Sequence, residues 1–198
     1  MDRYQNFADL AAHETEGRDY VILYRDLKAE VAVMAPHGGG IEPGTIDIAD
    51  ALAGRHYSFY AFKGLKKTGN QVLHLTSDRF DEPVGVDIAH KASLVITVHG
   101  CRDSEETVYV GGNHRELQAR LTAALTAAGF SAVISSEDGL RGINPENICN
   151  RCQNGQGVQL EISRGQRQRM FVNLERRKLR QKTPLFYTFV DTVKGVLP

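Results

Sequence analysis

Two histidines and two glutamates in this sequence sit where polar catalysis could use them. His37 and Glu42 lie five residues apart in the loop Pro36-His37-Gly38-Gly39-Gly40-Ile41-Glu42-Pro43-Gly44. Three successive glycines let the backbone fold back on itself, so an imidazole and a carboxylate can reach one point. His99 follows the apolar run Leu94–Val98 and precedes Gly100, which puts a second imidazole at another strand end. Two His and one Glu with a fourth position open form the ligand set of hydrolytic zinc sites. An ion held that way lowers the pKa of its water to about 7 and polarises a carbonyl. A plainer reading stands beside this one, since glycine-rich loops after strands also cradle phosphates. The fourth residue is Glu161. In Val158–Ser163, Val158, Leu160 and Ile162 alternate with Gln159, Glu161 and Ser163, leaving one polar face. A carboxylate on that face of an interior strand is costly when unpaired. A general base facing an activated water accounts for it, and so does a salt bridge to Arg164.

Strand ends must converge for these groups to meet. Strand-like segments are Tyr20–Tyr24, Val31–Ala35, Tyr57–Phe62, Gln71–Leu75, Leu94–Val98, Val108–Val110, Ala132–Ser135 and Val158–Ser163. Helical segments lie between them: Thr45–Ala53 ended by Gly54, Pro83 to about Ala92, Arg115–Ala128 capped by Asn113 and stopped by Gly129, and Pro184 to about Lys194. This alternation predicts one α/β domain over residues 1–198 with a largely parallel sheet. Ligands of open α/β sheets bind at the carboxyl ends of strands, which is where both His-Gly pairs fall.

The segments APHGGGIEPGT, HLTSDRFDEP, TVHGCRDSEETVYVGG, NICNRC and VQLEISRGQR resemble the phage-associated poly-γ-glutamate hydrolase family, whose members also carry the label phage-related replication protein. The resemblance runs from about residue 33 to residue 170. It implies a zinc carboxypeptidase-like fold, with a mixed sheet, helices on both faces and one Zn2+ at the sheet edge. It further implies that His37, Glu42 and His99 are the zinc ligands and that Glu161 is the catalytic glutamate. The loop spacing differs from the His-x-x-Glu of carboxypeptidases proper. The implied reaction is hydrolysis of the amide joining the γ-carboxyl of one glutamate to the amine of the next. Arg79 and Arg102 lie in family-like loops. One is expected to stabilise the oxyanion and the other to pair a substrate carboxylate, as arginine does bidentately. Arg151, in the Cys149–Cys152 segment, is expected to reach the same cleft. The cysteines themselves read as small semi-buried residues.

Charge narrows the partners. The chain has 198 residues, 24 Lys+Arg and 24 Asp+Glu, a neutral balance that argues against holding nucleic acid by bulk positive charge. The neutrality is an average. Residues 164–182 carry eight basic residues and one acid, +7, and the first 50 residues carry ten acids and four bases, −6. The basic stretch, beginning at Arg164, reads either as a solvated surface or as a rail for a polyanion. The expected partner is therefore poly-γ-glutamate, with no nucleic acid and no membrane, and oligomeric state left open. Two other readings remain: a zinc amidohydrolase acting on a small N-acyl amino acid, and a nucleic-acid-binding replication accessory. No run approaches about 18 apolar residues, and the start MDRYQNFADLAAHETEGRDY lacks the apolar core of a signal peptide, so the expected compartment is the cytoplasm. Three cysteines in such a chain imply free thiols.

Overall fold

The computed structural model describes residues 2–198. In chain order its elements are α1 (Phe7–His13), β1 (Tyr20–Arg25), β2 (Val31–Gly39), α2 (Thr45–Ala53), β3 (Ser58–Gly64), α3 (Pro83–Lys91), β4 (Leu94–His99), β5 (Thr107–Gly112), α4 (Arg115–Ala127), β6 (Ser131–Ile134), β7 (Val158–Ile162), α5 (Arg164–Met170), β8 (Phe171–Val172), β9 (Gln181–Lys182) and α6 (Pro184–Lys194). Seven strands form one mixed sheet in the order β1-β3-β2-β4-β7-β5-β6. The inner four, β3, β2, β4 and β7, run parallel. Strand β1 pairs antiparallel with β3, and β5 antiparallel with β7. The carboxyl ends of β2, β4 and β7 therefore share one edge of the sheet.

Alternation along the central strands builds two apolar layers. Val31, Val33 and Ala35 of β2 face a layer made with α2, α4 and α6, through Leu52, Leu121 and Phe189. Ala32 and Met34 face the other layer, with Tyr60, Phe62, Phe80 and Ile88. Strands buried on both faces read as continuous apolar runs, as Leu94–Val98 does. The result is a single-domain α/β fold with helices on both faces. No helix of the described residues is long and apolar enough to cross a membrane.

Two local expectations change. The segment expected as a strand at Gln71–Leu75 is a 3-10 turn over Asn70–Leu73. Its apolar pattern comes from burying Leu73 and Leu75 against the second layer, not from a pleat. His114, not Asn113, caps α4, accepting the Leu117 N–H at 3.3 Å. Helix α5 occupies the start of the basic stretch. Ser163 caps it by accepting from the Gln166 N–H at 3.0 Å, and Ser-x-x-Gln is a capping-box sequence.

The end of β2 depends on one glycine. Gly39 has φ +71°, and a Cβ there would lie 2.4 Å from the Gly64 carbonyl oxygen. Gly39→Ala is expected to cost about 2 kcal/mol or more from left-handed strain and the clash together, measured by denaturant unfolding.

Candidate metal centre and active site

The register of β2 with β3 shifts between Ala35 and Gly38, turning His37 out of the regular ladder toward β4. Its Nε2 lies 2.6 Å from the Leu75 carbonyl. A carbonyl only accepts, so Nε2 carries the proton and Nδ1 presents a lone pair. That Nδ1 sits 3.1 Å from His99 Nδ1 and 3.2 Å from Glu42 Oε1. His99 Nδ1 is 3.8 Å from Glu42 Oε2. The Glu42 N–H donates to the His37 carbonyl at 2.9 Å, and the Gly100 N–H donates to Glu42 Oε2 at 2.9 Å, so the carboxylate is held from both strand ends.

One ligand atom from each of His37, Glu42 and His99 lies within 4.8 Å of the others. Both imidazoles are almost fully buried, at 2% and 1% exposure. Burial opposes a charge on His37, but the Glu42 carboxylate and the Leu75 carbonyl outweigh it and raise its pKa. Burial dominates at His99 and pushes it down to about 3. Electron-rich atoms brought this close in a buried space need a cation or a proton between them. The set fits a zinc ion: two nitrogens, one carboxylate, and a carbonyl fixing the tautomer of one ligand as an outer-shell partner does.

Glu161 stands beside this cluster because the β4–β7 ladder pairs it with His99. Its Oε1 accepts from Gln159 Nε2 at 3.1 Å, and Gln159 Oε1 accepts from Asn147 Nδ2 at 3.1 Å. The salt bridge to Arg164 does not form, since Arg164 pairs with Glu175 at 3.2 Å. Burial first, then the Glu42 charge, hold the Glu161 carboxyl well above the usual range, against the pull of Arg167. A carboxyl group held up in this way is suited to exchanging a proton with a neighbouring water.

Arg167 is a buried arginine beside the centre that its place in a basic run concealed. It is buried at 4% exposure and donates to three carbonyls: Ile162 at 3.0 Å, Pro43 at 2.8 Å and Cys101 at 2.8 Å. It thereby ties β7, the His37–Glu42 loop and the loop after His99 together. Gly100 has to be glycine here, because a Cβ would meet the guanidinium carbon at 2.6 Å. The Ser-x-x-Gln sequence starting at Ser163 is the signal from which a helix holding Arg167 can be read. Arg167→Met should cost about 3 kcal/mol by orphaning buried acceptors, which thermal and denaturant unfolding would measure.

The expected substrate arginines divide. Arg102 and Arg164 line a cleft of about 650 Å3 together with Glu42 and His74. Arg79 does not reach its wall; it pairs with Asp2 at 3.3 Å, whose carboxylate also holds His74 Nδ1 at 2.8 Å and the Thr76 N–H at 2.6 Å. Arg151 is turned away as well, donating to the carbonyls of Glu146, Phe80 and Asp78 at 2.8, 3.1 and 3.4 Å. Both brace the loop over Thr76–Phe80. His74 lies between the cleft and a second pocket of about 280 Å3 that contains His37, His99 and Glu161, with its ring 4.1 Å from that of His37. Most of the basic stretch is likewise engaged. Arg169 pairs with Glu106 at 3.0 Å, Arg180 with Asp47 at 2.7 Å, and Lys182 lies over the Phe186 ring.

A family model described as poly-gamma-glutamate hydrolase matches residues 4–192. The Bacillus subtilis SPbeta prophage-derived UPF0714 protein YoqZ is 46% identical over 171 residues, 86% of this chain and 62% of YoqZ. The chain thus spans less than two thirds of that relative's length. The UPF0714 protein YmaC of Bacillus subtilis is 40% identical over 199 residues, covering 99% of this chain and 84% of YmaC. A solved structure of a bacteriophage poly-gamma-glutamate hydrolase superposes with a TM-score of 0.94 at 34% identity, covering 99% of this chain and 96% of that one. A zinc-free apo structure of YndL gives 0.92 at 37% identity, with 99% and 97% covered. An N-formylglutamate amidohydrolase from Ralstonia eutropha JMP134, at 9% identity and a TM-score of 0.53 over 90% of this chain and 95% of its own, shares the fold alone. With the family model spanning residues 4–192, which take in every strand of the sheet, this chain belongs to the poly-γ-glutamate hydrolase family.

Proposed function

We propose that this protein hydrolyses the γ-glutamyl amide bonds of poly-γ-glutamate and that zinc is its cofactor. The observation that carries the reading is the convergence of His37, Glu42 and His99 beside Glu161, in a pocket that shares Glu42 and His74 with an arginine-lined cleft, in a chain of this family. A zinc ion in that ligand set supplies an acidified water and a Lewis-acid contact for the scissile carbonyl. The remaining steps belong to the chain's own side chains. Glu161 takes a proton from the attacking water and later returns it to the leaving amine. Gln159 fixes the Glu161 carboxylate through its amide donor, which leaves the second oxygen for that transfer. Arg102 and Arg164 meet the charge on the substrate: one contacts a free carboxylate of the polymer, and Arg102, three residues past His99, meets the developing oxyanion. Arg79 and Arg151 act through the Thr76–Phe80 loop as positioning residues.

The polymer reading is supported over a small N-acyl amino acid by the cleft adjoining a further depression with which it shares Gly40, Pro43, Gln71 and Glu175. The test is incubation of the zinc-loaded protein with high-molecular-mass poly-γ-glutamate and, separately, with an N-acyl glutamate. A fall in polymer mass with little action on the small amide is the expected result. Rapid turnover of the small amide with an intact polymer would overturn the substrate assignment.

A further inference from the structure

Beyond Arg164 the cleft opens into a further depression of about 470 Å3, sharing Gly40, Pro43, Gln71 and Glu175 with it. One wall is the segment 64–71 after β3, and the other is the loop 175–180 between β8 and β9. Four cations line it: Lys66, Lys67, Arg177 and Arg180. Two are already engaged, Lys66 with Glu14 at 2.6 Å and Asp19 at 3.4 Å, and Arg180 with Asp47 at 2.7 Å. Lys67 and Arg177 are exposed and form no ion pair among the described residues. Half-buried Lys63 adds a further charge nearby; burial, and then Arg177 and Arg180, hold its ammonium below the ordinary range. The pocket that holds the ligand cluster itself has the opposite character. Around His37 and His99 it is lined by Glu42, Asp78, Asp138 and Glu161 and by no Lys or Arg among the described residues. The length of a polyanion beyond the centre is therefore drawn along the cationic cleft and depression and away from the acids of the centre's own pocket.

We propose that this depression is a remote station for the carboxylates of a polymeric substrate, engaged by Lys67 and Arg177, and that long chains lie on this side of the ligand cluster. The inference rests on the poly-γ-glutamate reading above. Each repeat of that polymer carries one free carboxylate, so a chain spanning both sites gains from the second contact through its raised local concentration. An oligomer too short to span gains nothing. The station therefore favours long substrates by binding, without altering the bond-breaking step.

The test compares wild type with a Lys67→Ala/Arg177→Ala variant on high-molecular-mass poly-γ-glutamate and on a γ-glutamyl oligomer of three units. The KM for the polymer should rise on the order of tenfold with kcat held, while the oligomer's KM moves by less than about twofold. Added salt should weaken polymer binding by wild type more than oligomer binding, a readout that needs no variant. Equal shifts on both substrates, an unchanged polymer KM in a folded variant, or equal salt sensitivity would overturn the station. A wild type that cleaves neither substrate overturns the substrate reading itself, and the station with it.

Discussion

Replacing Glu161 with Gln should lower kcat on poly-γ-glutamate by about 10²- to 10⁴-fold, the usual contribution of a positioned proton carrier, and leave the bound zinc in place. The amide keeps the shape of the carboxylate, and its carbonyl still accepts from Gln159 Nε2, which now reaches Glu161 at 3.1 Å. What disappears is the basic oxygen. Glu161 is buried and repelled by Glu42, so a neutral side chain there relieves a charge that the fold does not pair. Thermal stability should therefore equal or exceed that of wild type. A variant that loses both turnover and stability would instead mark Glu161 as a structural residue.

His99→Ala should have the opposite signature. It removes one of the three convergent donors and leaves Glu42 and His37 without their shared neighbour. Loss of the ion withdraws several kcal/mol of transition-state stabilisation, a fall of at least about 10³-fold in turnover. Metal content should fall with it, and the loss should not be rescued by moderate excess zinc. Substitution of His37 would be less clean, because His37 also donates to the Leu75 carbonyl and its removal orphans that buried acceptor.

Much of the centre was legible in the sequence because its residues sit at strand ends. A His-Gly pair directly after the apolar run Leu94–Val98, and another separated only by Pro36 from the run Val31–Ala35, each fall at the carboxyl end of a buried strand, which pointed to His99 and His37. The alternation in Val158–Ser163 gave the side of the strand on which Glu161 lies. The pairing of Glu161 with His99 was not legible, because β7 inserts between β4 and β5 and joins strands about 60 residues apart in the chain. The arginines show why charge counts mislead. Arg167 and Arg177 look alike in a run of basic residues, yet one is buried on three carbonyls and the other faces an open groove. Only the helical phase set by Ser163 and Gln166 separates them. Gln71–Leu75 failed as a strand for a related reason: apolar alternation also arises where a turn packs its leucines under a loop.

The central claim is best tested by measuring zinc content and depolymerisation of poly-γ-glutamate on the same preparations of wild type, His99→Ala and Glu161→Gln. The geometry predicts one zinc per chain in wild type and in Glu161→Gln, little or none in His99→Ala, and a fall in polymer mass with wild type alone. Wild-type depolymerisation that persists at full rate in metal-free protein, or a Glu161→Gln variant as fast as wild type, would contradict it.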